Sequence, residues 1–180
     1  MDTYSSGTYL NGVVFLQPIN QSRVCASEAS RTRLFKKLLG EQAFHRVIIG
    51  GTMWNSRQDA ERKIQQRKAH TDIWGDMVQR GATAIAYDNT RQGALSIIRM
   101  LMKHRPEALL IQKELATGKT LLETSAGREL ERQKGEDMTK LKEELRDLKS
   151  DREATATEIR ELRDRIYQKE EEIMELKRGC

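Results

Sequence analysis

The sequence predicts an α/β domain, three parallel strands with intervening helices, followed by a long C-terminal coiled-coil helix. Three observations lead there. Apolar runs at 10–16, 46–50 and 82–87 lack polar alternation and read as strands buried on both faces. Segments of helical period separate and follow them, and that alternation means βαβ units with right-handed crossovers. From Met138 a heptad repeat then runs to Leu176.

Residues 1–9 are small and polar and make a lead-in. The first run, Leu10 to Leu16, is expected to end at Gln17-Pro18, because proline supplies no ladder donor. Leu34, Phe35, Leu38 and Leu39 then share a helical face, with Ser27 as the expected N-cap and Gly40 as the stop. Val47-Ile48-Ile49 forms the central strand, which runs into Gly50-Gly51 and a polar turn. Ser56 caps a polar helix through Lys68, and Ile73, Trp74, Met77 and Val78 make a shorter apolar face that ends at Gly81. After the third strand, Asp88-Asn89-Thr90 turns into a helix. Its expected buried side carries Ala94, Leu95, Ile97, Ile98, Leu101 and Met102. Pro106 interrupts, and residues 108–116 form one more helix. Ligands of open α/β sheets sit outside the carboxyl ends of the strands. The candidate binding loop is therefore Thr52 to Asn55.

Of the 180 residues 33% are charged and 5% aromatic, which suits one modest domain, 1–127, and a solvated extension, 128–180. The net charge of +5 is spread out, with no dense basic block to argue for nucleic acid. No eighteen-residue apolar span argues for a membrane helix, and the N-terminus lacks the pattern of a signal peptide. Cys25 and Cys180 make no disulfide framework, and the expected compartment is the cytoplasm. Cys180 does not complete a prenylation motif. His45, His70 and His104 are scattered without metal-ligand spacing.

The stretches YLNGVVFLQPINQSRV (9–24), RLFKKLLGEQAFHRVIIGGTMW (33–54), DIWGDMVQRGA (72–82), DNTRQGALSIIRMLM (88–102), ALLIQKELA (108–116) and LLETSAGREL (121–130) run collinearly through the chain. In them the chain resembles the C-terminal half of fungal G-domain proteins, relatives of the AIG-type, Toc and septin-like P-loop GTPases. The resemblance implies a partial Rossmann-like P-loop GTPase domain and a guanine nucleotide, GTP or GDP, as ligand. It also implies base contacts from Thr52, Met53, Trp54 and Asn55 in the loop after the central strand, and from Asp88, Asn89 and Thr90 in a second loop.

Three departures from that family stand out. Asn55 occupies the place of an aspartate whose carboxylate accepts two N–H groups of guanine, and an amide offers one acceptor and one donor. Met53 lacks the ammonium of the usual lysine, though its thioether can pack on a base. The phosphate half of such a site is missing. Thr117-Gly118-Lys119-Thr120 has Lys113 where the first P-loop glycine belongs and follows a helix, so it reads as a helix-ending turn. No DxxG follows a strand, so the residues present do not support magnesium binding, and hydrolysis by this chain alone is not expected.

The tail seam reads Met138, Leu141, Leu145, Leu148, Arg152, Thr155, Ile159, Leu162, Ile166, Lys169, Ile173 and Leu176. Five of the six g-to-e pairs across a parallel dimer, such as Glu144–Lys149 and Arg165–Glu170, are opposite in charge. A parallel homodimer through 138–176 is therefore expected. Two functions follow: a truncated or degenerate GTP-binding protein that keeps the guanine-recognition half, or a non-enzymatic scaffold that works through its coiled coil.

Overall fold

A computed structural model of the chain describes residues 9–21, 25–150 and 156–178. The chain divides into two compact units, Met1–Gly118 and Lys119–Cys180.

The first unit holds three parallel strands, β1 (Val13–Pro18), β2 (Val47–Thr52) and β3 (Thr83–Ala86), in the order β1-β2-β3. Val13 pairs with Val47 and Pro18 with Thr52, while Ile48 pairs with Thr83 and Gly51 with Ala86. Pro18 is the last residue of β1, where the sequence places the end of the strand. The Ile19 backbone N–H donates to the Thr52 carbonyl at 2.8 Å. Strand alternation therefore turns the Pro18 nitrogen, one residue earlier, away from β2, where no donor is needed. Gly50 and Gly51 lie inside β2 and not in a turn. A Cβ on Gly50 would stand 2.7 Å from Leu16 Cδ2, and one on Gly51 would stand 2.8 Å from Ile19 Cδ1. The glycines let neighbouring side chains close over the central strand.

Around the sheet lie α1 (Ala26–Leu39), a 3₁₀ turn (Glu41–Arg46), α2 (Arg57–Ala69) and a π turn (Thr71–Gly75) that leads into α3 (Asp76–Gln79). After β3 come α4 (Arg91–Leu101) and α5 (Leu110–Ala116). Ser56 caps α2 by accepting from the Asp59 N–H, as its sequence position suggests. Cys25, not Ser27, is the N-cap of α1: its carbonyl accepts from the N–H groups of Glu28 and Ala29.

One face of the sheet is sealed. Val47 and Ile49 pack with Leu39, Phe44, Ala60, Ile64, Ile73, Trp74 and Met77, and Phe15 stacks on Phe35 with ring centroids 3.9 Å apart. This face also encloses a polar network. Arg67 holds Glu28 through two bonds of 2.7 and 3.2 Å and lies over the Trp74 ring. Trp74 Nε1 donates to Gln17 Oε1 at 2.7 Å, and Gln17 donates to Thr32. All five residues are buried. Buried polar groups are tolerated when each finds a partner, and these do.

The other face carries only part of the cover that an unalternating apolar run predicts. Ile48 and Ile97 are buried there, but Val14 is 36% exposed, Leu16 52%, Ile98 52% and Met102 66%. The expected buried side of α4 is thus wrong at Ile98 and Met102. Period alone assigned them to a core that has no second layer at that point. Among the described residues β1 has no strand on its outer edge.

In the second unit the expected single helix is replaced by two, α6 (Ser125–Ser150) and α7 (Ala156–Arg178), packed along each other. Glu131 pairs with Lys177, Lys134 with Glu172 and Lys142 with Glu170, so rising positions on α6 meet falling positions on α7. The helices are antiparallel. Seam residues Met138, Leu141 and Leu162 are buried within the one chain. A heptad specifies an apolar stripe without naming its partner, and here the stripe of α6 packs along α7. Positions 152 and 155 of the seam, and Cys180, lie outside the described residues.

Candidate functional site

The candidate site is a cleft at the carboxyl ends of β2 and β3. It measures about 540 Å³ and is lined by Leu16, Thr52, Met53, Trp54, Tyr87, Asp88 and Asn89. Of the residues singled out in the sequence, Thr52, Met53, Trp54, Asp88 and Asn89 come together here. Asn55 and Thr90 do not line it. Asn55 is exposed next to the α2 cap, and Thr90 caps α4 by accepting from the Gly93 N–H at 3.0 Å.

Trp54 ties the two loops together. Its indole N–H lies 3.1 Å from both the Gly51 and the Tyr87 carbonyl oxygens. The Tyr87 backbone N–H donates back to Gly51 at 2.9 Å. Next to these ties stand Met53 at φ 58° and Asn89 at φ 60°, the non-glycine residues with left-handed backbone among those described. Asparagine adopts this conformation readily, whereas a methionine there costs about 1–2 kcal/mol. Backbone strain of this kind persists only where surrounding bonds over-determine it.

Asp88 is held from the helix side. Its Oδ1 accepts from the Thr90 hydroxyl at 2.8 Å and from the Thr90 N–H at 3.0 Å. Those two bonds hold its carboxyl below the usual carboxylate range, so the cleft carries a negative charge near neutral pH. A Cβ on Gly93 would sit 2.4 Å from Oδ1, so a glycine at the third position of α4 lets the carboxylate approach. Leu16, Met53, Trp54 and Tyr87 give the cleft apolar surface that suits a flat ring, and Thr52, Asp88 and Asn89 give it polar groups.

Leu16 and Tyr87 were missed as lining residues. Leu16 sits in an apolar run that reads as core, and only strand register puts it beside Gly50 and over the cleft. Gly118, in the P-loop-like stretch, has φ 86° and donates its N–H to the Leu115 carbonyl, so it ends α5. His45 and His104 meet edge-on with centroids 5.7 Å apart, and no group of three or more His, Cys, Asp or Glu among the described residues is placed to hold a metal. No helix among the described residues is long and apolar enough to cross a membrane.

No protein-family model matches the chain, and neither a curated protein nor a solved structure matches it.

Proposed function

We propose that the chain is a guanine-nucleotide-binding protein of the G-domain type that holds the base in the cleft between loops 52–54 and 87–89. One observation carries the reading: two loops far apart in sequence, each quoted above for its resemblance, converge on one cleft at the strand ends and are locked there by Trp54. GTP or GDP fits as a base between apolar walls with polar groups at the edge. The phosphates find no P-loop in this sequence, so affinity rests on the base and hydrolysis stays at background. Trp54 reports on the cleft, while Trp74 is fully buried in the core. Titrating GTP into the full chain should quench Trp54 fluorescence with a millimolar midpoint and yield no phosphate above buffer. A flat titration refutes the reading, and a micromolar midpoint shows that this chain holds the phosphates as well.

The scaffold reading draws on the second unit, where α7 leaves Tyr167 63% and Met174 48% exposed. A parallel homodimer through 138–176 would use the seam that α6 and α7 bury against each other, so the two arrangements exclude one another. A Lys142→Cys/Glu170→Cys variant separates them. The hairpin yields an oxidised species of monomer size, whereas in the parallel dimer positions 142 and 170 face residues 137 and 165 of the second copy and that species does not form.

A further inference from the structure

We infer that Asp88, rather than Asn55, is the specificity-determining residue of the cleft, and that the ligand it selects is a planar heterocycle with two adjacent N–H donors on one edge. The inference rests on the base-binding reading above and says which group does the selecting.

Three observations support it. Asp88 lines the cleft, and Asn55 does not. Both bonds from Thr90 end on Oδ1, so the acceptor left for a ligand is Oδ2, whose two lone pairs can take two adjacent N–H donors. The carboxylate is also fixed in place, tied to the α4 cap on one side and following a β3 terminus locked by Trp54 on the other. A carboxylate is an acceptor only. It therefore suits the guanine edge, where a ring N–H and an exocyclic amine lie side by side. The adenine edge presents an acceptor beside its amine and would set a lone pair against the carboxylate. Hypoxanthine keeps the ring N–H and lacks the amine, so one of two charge-assisted bonds is lost. A site built to bond a donor discriminates against the analogue that lacks it, here by about tenfold or more.

The test compares GDP, IDP and ADP on the full chain by calorimetry, with Asp88→Asn and Asn55→Ala beside the wild type. An asparagine at 88 still accepts from Thr90, and its thermal melt should match the wild type. The expected result is GDP bound about tenfold more tightly than IDP, with ADP weaker still. Asp88→Asn should level GDP with IDP, and Asn55→Ala should leave the ratio as it was. An unchanged ratio in Asp88→Asn, or a levelled one in Asn55→Ala, overturns the assignment and leaves base binding intact. If Asp88→Asn fails to fold, the wild type still decides: equal GDP and IDP affinity overturns the assignment. A wild type that binds none of the three overturns the inference together with the reading it rests on.

Discussion

The two faces of the sheet are made by the same three strands, and they differ in almost everything else. On one, Ile49 and Trp74 are 0% exposed and a bidentate Arg67–Glu28 pair is buried with Arg67 over the Trp74 ring. On the other, Val14 and Leu16 stand half in solvent, with Ile97 of α4 the buried contact. Neighbouring residues of β1, Phe15 and Leu16, are similar in chemistry and opposite in environment. Strand residues alternate between faces, so an unbroken apolar run says that both faces are apolar and leaves open whether both are covered. The sealed face supplies stability. The open face runs into the cleft at Leu16, and its exposed apolar surface is of the kind that marks an interaction site or an association hazard.

The contrast should be greatest at the buried ion pair. Arg67→Ala leaves the Glu28 carboxylate without its guanidinium in the core, and urea unfolding should show a loss of about 3–5 kcal/mol. If the variant unfolds at nearly the same urea concentration, the pair is not sealed as described. Next comes a matched pair of truncations. Ile49→Ala on the covered face should lose about 2–5 kcal/mol, and Leu16→Ala on the open face less than about 1 kcal/mol. Equal losses would mean that the second face is covered too.

A smaller effect is expected from charge on the open face. Val14→Lys with Ile98→Lys should lower the self-association of the full chain, seen by sedimentation, with little change in melting temperature. A large drop in melting temperature would show that these side chains belong to a core.

The smallest effect concerns the α6–α7 hairpin. The Lys134 ammonium, helped by Lys169, holds the Glu172 carboxyl below its ordinary value. A depressed carboxylate contributes stability above the unfolded-state value of about 4.3, and loses it as pH falls through the lower folded value. The helical signal of the tail should therefore melt earlier at pH 3 than at pH 7. Lys134→Ala should narrow that difference, and an unchanged difference would remove Glu172 from the explanation.

The order of strands and helices, the Ser56 cap and the loop from Thr52 were legible in the chain, because periodicity and capping are local. Side chains within a few residues of each other decide them. Three features needed the assembled structure. Gly51 and Thr52 carry β2 beyond residue 50 because of what pairs with them across the sheet, which a linear reading does not show. Asp88 rather than Asn55 reaches the cleft because Trp54 and the α4 cap aim one loop inward, while Asn55 sits beside the cap of α2. The heptad from Met138 showed an apolar stripe without naming its partner. Parallel copies and an antiparallel fold-back satisfy the same spacing, and proximity along one chain favours the fold-back. Spacing is written residue by residue, whereas cover depends on which surfaces meet.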